Sequence, residues 1–127
     1  MIMEEKYYNN GETKLKYYEV ANHLQPLVLI HAQGVDGRSF DHVIKPLSKK
    51  FHIYSVDCYG HGKSKHDPND YNIRSISNAM IDFVENIVKE KIWLLGHSSG
   101  GLIAAYIAAN TEFCKKLLLE DPPFFAS

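Results

Sequence analysis

Residues 92–109 read IWLLGHSSGGLIAAYIAA, and the fold turns on how this stretch is parsed. Ile92 to Leu95 is a short continuous apolar run, the mark of a strand buried on both faces. Leu102 to Ala109 is alanine-rich and predicts a helix. Between them lies Gly96-His97-Ser98-Ser99-Gly100, a G-x-S-x-G sequence at a strand-to-helix turn. A turn that sharp crowds the positions two residues either side of the central serine, hence Gly96 and Gly100. It lifts the Ser98 hydroxyl above the sheet, where the N–H groups opening the next helix also point. Gly101 and the alanines at 104, 105, 108 and 109 let the helix lie close to the strands. Taken alone, the five residues also fit a glycine-rich turn with a capping serine. The strand before and the helix after favour a presented nucleophile.

Working outward, the same alternation runs along the chain. EKYYNNGETKLKYYEV reads as a hairpin around Asn10-Gly11, a dipeptide that accepts positive φ. Leu27 to His31, Phe51 to Asp57 and Lys116 to Glu120 are further buried-strand runs. Phe40, Val43, Ile44 and Leu47 form a helical stripe, which Pro46 should shorten or kink. Ile73 to Val88 keeps helical spacing over about four turns and is the longest predicted helix. Buried strands alternating with helices predict an α/β fold with a mostly parallel sheet covered by crossovers. The loops 32–39 and 60–72 follow strands, at the carboxyl ends where ligands bind in such sheets.

Composition narrows the classes. At 127 residues the chain has the length of one domain, with 45% apolar and 23% charged residues. A formal net charge of −1 gives no electrostatic reason to expect nucleic acid or an anionic membrane as partner. No apolar run has membrane-spanning length and the acidic, polar start does not resemble a signal peptide, so a cytoplasmic location is expected. Cys58 and Cys114 have no C-x-x-C spacing, so neither a disulfide framework nor a metal site is indicated, and no cofactor is expected.

Two further motifs bear on chemistry. His31-Ala32-Gln33-Gly34 directly follows a central strand. Acyl transfer needs two N–H donors aimed at the developing oxyanion. Ser99, after the nucleophile, supplies one, and the backbone N–H of Gln33 is the candidate for the other. An ordinary polar turn accounts for the HAQG residues equally well. His31 reads as a structural histidine bonding nearby backbone. Asp57-Cys58-Tyr59-Gly60-His61-Gly62-Lys63-Ser64 contains Gly-Lys-Ser but is a poor phosphate loop. Asp57 stands where that motif needs glycine, and a carboxylate there repels phosphate.

In their order, LIHAQG, VDCYGHGKS and GHSSGG resemble the N-terminal half of an α/β-hydrolase-fold enzyme of the serine-nucleophile type. The family patterns are H-G-x-x, D-x-R-G-H-G-x-S and G-x-S-x-G. The resemblance extends to Glu120-Asp121-Pro122-Pro123, similar to the end of the family's sixth strand. Ala32 replaces a usual glycine and Tyr59 a usual arginine. The resemblance implies Ser98 as nucleophile, the Gln33 and Ser99 N–H groups as oxyanion hole, and a small ester, amide or related carbonyl substrate. Family members with aspartate at the elbow, dehalogenases and soluble epoxide hydrolases, are disfavoured by Ser98.

In the family the acid and base follow the nucleophile, and here no histidine follows Ser98. Among the later acids, Asp121 lies near an alternative acid position of some members. His97, His61 and His31 precede or adjoin Ser98 and would each need a carboxylate partner and reach of its hydroxyl. The family sheet runs 1-2-4-3-5-6-7-8. Residues 1–127 are therefore expected to be a single partial domain ending after the sixth strand, with Pro122, Pro123, Phe124 and Phe125 beyond it, and inactive alone. The alternative expectation is a non-catalytic half-fold that another chain completes.

Overall fold

The computed structural model describes residues 2–59 and 61–121. It opens as the expected hairpin: β1 (Glu4–Asn9) pairs antiparallel with β2 (Lys14–Val20), with Asn9 opposite Lys14. Gly11 supplies φ of 96° at the tip. Asn10 Oδ1 accepts the N–H groups of Glu12 and Thr13 at 3.1 and 2.7 Å, bonds that the short connection could not make through its own backbone.

β3 (Gln25–Ile30) leads through a 3₁₀ turn at Gly37–Phe40 into α1 (Asp41–Leu47). Pro46 lies in the final turn of α1, which is short, as its missing N–H requires. β4 (Phe51–Val56) precedes the loop that carries the second glycine motif. α2 (Ile73–Phe83) starts where the Asn72 side chain accepts the Ser75 N–H at 2.9 Å. β5 (Ile92–His97), α3 (Gly100–Asn110) and β6 (Cys114–Glu120) follow. The strands form one sheet in the order β1-β2-β4-β3-β5-β6. β2 runs antiparallel to β4, while β3 is parallel to both β4 and β5, and β5 to β6.

The two faces of the sheet are unequally covered. Under α2 and α3, Val28, Ile30, Val56, Leu94, Met80 and Ile107 form the larger core. Phe83, fully buried, lies edge-on to Tyr17 and Tyr54 at 4.8 and 5.8 Å between ring centroids. On the other face α1 covers a smaller cluster of Val20, Leu27, Leu29, Phe40, Ile44 and Ile53.

Three elements depart from the sequence reading. The helix expected over 73–88 stays α-helical only to Phe83 and ends in a π turn, Val84–Val88. Lys89, in the left-handed conformation, donates its N–H to the Val84 carbonyl at 2.9 Å and fixes the wider ring. β5 runs on to His97, and its residues alternate between buried and half-buried rather than being buried throughout. β6 is present but not buried: Leu117, Leu118 and Leu119 are 36–37% exposed. It is the last strand in the sheet order and has a strand neighbour on one side only among the described residues. The terminal residues 122–127, including Pro122, Pro123, Phe124 and Phe125, lie outside the described residues. Among those described, no helix is long and apolar enough to cross a membrane.

Candidate active site

The turn between β5 and α3 has the geometry that the glycine spacing predicted. Ser98 holds φ of 53°, a left-handed conformation that a non-glycine residue adopts at a cost of about 1–3 kcal/mol. Backbone bonds hold it there. The Ser98 N–H donates to the Glu120 carbonyl at 2.8 Å, and its carbonyl accepts the Gly101 N–H at 2.8 Å. The flanking glycines are sterically required. A Cβ on Gly96 would lie 2.4 Å from the Gly100 oxygen, and one on Gly100 would lie 2.5 Å from the carbonyl oxygens of both Ile30 and His31. α3 therefore begins pressed against β3 and β5, with Ser98 at the apex.

The loop after β3 faces this turn. Its Gln33 N–H donates to Ser99 Oγ at 2.6 Å. The structure thus brings Gln33 and Ser99 together. It also shows something the sequence did not: the side chain of Ser99 occupies the N–H assigned to an oxyanion. Gln33 is held on its other side too, its Nε2 donating to the Tyr71 hydroxyl at 3.0 Å. Tyr71 stacks on His61 at 5.7 Å, and His61 meets His31 edge-on at 4.9 Å. These groups, with Cys58, Ile73, Ile76, Leu102 and Ile103, line a cavity of about 230 Å³.

The histidines are engaged elsewhere. His31 is buried, its Nε2 accepting the Cys58 N–H at 2.9 Å and its Nδ1 lying 2.8 Å from the Ala32 oxygen. That pattern fixes a neutral ring with the proton on Nδ1, and burial pushes its pKa below the usual histidine range. His31 is structural, as expected. His61 lines the cavity with Nδ1 directed at the Tyr59 oxygen, 3.0 Å away. His97 turns to the opposite face of the sheet, into a groove shared with Leu29, Val43 and Leu95. Its Nδ1 lies 2.6 Å from Glu120 Oε1, an ion-pair distance without hydrogen-bond alignment. Asp121, exposed and with φ of 52°, falls just beyond the end of β6.

Asp57 explains why Gly-Lys-Ser is not a phosphate loop. Its fully buried carboxylate accepts the N–H groups of Gly37 at 2.8 Å and Lys63 at 3.0 Å. A Cβ on Gly62, whose φ is 52°, would lie 2.1 Å from Asp57 Oδ2. The turn is wrapped around an internal anion, leaving no place for an external one. Cys58, entirely buried beside it, has its thiol pushed up to about 12 by burial and by the Asp57 charge. Among the described residues no group of three His, Cys, Asp or Glu side chains could hold a metal ion.

A strand–serine–helix turn facing an N–H donor on the preceding parallel strand's loop defines a class. The α/β-hydrolase-fold family model matches residues 25–127, and the chain belongs to that family. Among similar proteins, the pimeloyl-[acyl-carrier protein] methyl ester esterase of Vibrio cholerae is 30% identical over 119 residues, covering 91% of this chain and 44% of its own length. The 3-hydroxybutyrate-oligomer hydrolase of Cupriavidus necator is 31% identical over 116 residues, covering 87% and 40%. A solved structure of an N-acyl homoserine lactonase, AidH, superposes with a TM-score of 0.88 at 22% identity, covering 96% of this chain and 46% of the other. The chain thus spans less than half the length of each of these proteins.

Proposed function

We propose that this chain carries the nucleophile half of a serine hydrolase that acts by acyl transfer on a small carboxylic ester or related carbonyl compound. The observation that carries the reading is the strained φ of Ser98, held between two glycines at which a Cβ would collide with backbone oxygens. In this mechanism Ser98 Oγ bonds to the substrate carbonyl carbon and the carbonyl π electrons move to oxygen. The N–H groups of Ser99 and Gln33 receive that oxygen once the Ser99 hydroxyl has moved aside. The hydroxyl proton passes to a base. Collapse expels the alcohol with a proton, and water then releases the acid from the acyl-serine.

The base and its carboxylate belong to a segment beyond these 127 residues. Three observations support this. No histidine follows Ser98 in the sequence, both ring nitrogens of His31 are engaged by backbone and His97 lies in a different groove, and the hydrolase relatives are more than twice as long. The ester assignment rests on the two curated relatives, one named a methyl ester esterase and the other a 3-hydroxybutyrate-oligomer hydrolase. A second reading is a half-fold completed by another chain; among the described residues β6 pairs with a strand on one side only.

Active-site phosphonylation tests the nucleophile. Elbow and oxyanion donors alone retain some reactivity, so a fluorophosphonate should label Ser98 slowly, and Ser98→Ala should abolish the adduct found by mass spectrometry. A folded protein that stays unlabelled at Ser98 after prolonged exposure would refute the assignment.

A further inference from the structure

Gln33 makes a second bond that the catalytic reading does not use. Its side-chain Nε2 donates to the Tyr71 hydroxyl, while its backbone N–H donates to Ser99 Oγ. We propose that Tyr71 is a positioning residue for the oxyanion hole. Acting through the Gln33 side chain, it keeps the Gln33 N–H aimed at the acyl site when the Ser99 hydroxyl leaves. The proposal rests on the reading of Gln33 as an oxyanion donor.

The need follows from where Gln33 sits. It is exposed, on the loop after β3, and Ile30 is the last residue of that strand to pair in the sheet. The ladder therefore does not hold Gln33. Its N–H is held by Ser99 Oγ, and that is the bond a substrate must break. A donor left free to turn at that moment stabilises an oxyanion less, because it must be reoriented as charge develops. The Nε2 bond is made by a different group of the same residue and survives the exchange.

Tyr71 is fixed at both its backbone and its ring. Before it, the Asp67 carboxylate accepts the Asn69 N–H at 3.0 Å and opens a 3₁₀ turn, Pro68–Asp70, which the Tyr71 N–H closes on the Pro68 carbonyl at 3.4 Å. After it, Asn72 caps α2 and donates its Nδ2 to the Asn69 carbonyl at 3.2 Å. The ring lies along that of His61, with 25° between the planes. His61 is held in turn. Its Nδ1 donates to the Tyr59 carbonyl, and its ring meets that of His31, both of whose nitrogens are engaged by backbone. The line His31–His61–Tyr71–Gln33 thus leaves the loop at residue 31 and returns to it at residue 33. It braces the step that carries the oxyanion donor, and gives the histidines of HAQG and YGHGKS a shared task other than that of base.

Fluorophosphonate labelling of Ser98 and amide exchange at Gln33, read on the same variants, test this. Tyr71→Phe keeps the ring and its stack but removes the acceptor. It should slow labelling by about two- to tenfold, the range set by one hydrogen bond. It should speed exchange of the Gln33 amide by a similar factor, with the β3 amides and the urea midpoint unchanged. Gln33→Ala keeps the N–H and removes the side chain, and should slow labelling equally. Adding Tyr71→Phe to Gln33→Ala should then change nothing further, since the hydroxyl acts only through that side chain. A Tyr71→Phe protein labelled at the wild-type rate overturns the proposal and leaves the Ser98 assignment standing, as does a double variant whose effects add. Exchange that rises across β3 as well as at Gln33 marks a general loosening and overturns it too. Wild-type protein that stays unlabelled at Ser98 refutes the underlying reading of the site, and the proposal with it.

Discussion

Ser99 places its hydroxyl oxygen 2.6 Å from the Gln33 N–H, the distance at which an oxyanion would sit. Two oxygens cannot share that position, so a substrate must first break this bond. A hydrogen bond of this kind contributes about 0.5–1.5 kcal/mol. Ser99→Ala should therefore speed phosphonylation of Ser98 by about two- to tenfold, read from the rate of adduct formation; a slower rate would mean that the hydroxyl assists the oxyanion rather than blocking it. Gly100 is a different kind of residue, one whose importance is wholly steric. A Cβ there meets two backbone oxygens at 2.5 Å, and neither can swing aside as a side chain would. Gly100→Ala should cost about 3 kcal/mol of stability, seen as a lower urea midpoint. The glycines and Ser98 were legible in the sequence because their constraint is local, confined to five consecutive residues. The Ser99–Gln33 and Gln33–Tyr71 contacts were not, because they join residues 66 and 38 positions apart. Only the packing of two loops creates them.

One buried carboxylate adds side-chain ties to the backbone ladder that joins the hairpin to the sheet. Glu19 on β2 accepts from Lys6 of β1 at 2.7 Å and from His52 of β4 at 2.5 Å, so a single side chain ties three strands. Burial alone would raise its pKa, but the hydrogen bonds from Lys6 and His52 outweigh it and hold the carboxyl below its usual range. A folded pKa below the unfolded one stabilises the fold above the unfolded value, about 4.3. That stabilisation fades as pH falls through the folded value. Glu19→Gln lacks this contribution. The difference in unfolding free energy between wild type and variant should be largest near neutral pH and shrink steadily toward about pH 3; a difference independent of pH would show that the contact acts only through packing. Elements as such were largely readable from periodicity, their ends less so. The π turn at 84–88 depends on Lys89 adopting a left-handed conformation, which no apolar spacing reveals. The leucines of β6 look like those of β3 in sequence, yet among the described residues β3 is flanked on both sides and β6 on one.

Across the whole molecule, protection should grade from the centre of the sheet to its edge. β3 and β4 have neighbours on both sides, and Leu27, Val28, Leu29, Ile30, Ile53 and Val56 are essentially inaccessible to solvent. Their amides should exchange with solvent only on global unfolding, which for a domain costs about 5–15 kcal/mol. β6 contributes few buried contacts, and exchange there should run through local opening. Within β6 the amides point alternately toward β5 and away from it. Those of Leu118 and Glu120 face β5 and should be protected. Those of Leu117 and Leu119 face away from it, have no strand partner among the described residues, and in the 127-residue protein should exchange faster. Residue-resolved hydrogen exchange reads all of these positions together. Uniform exchange along β6 would contradict the ladder assigned to it.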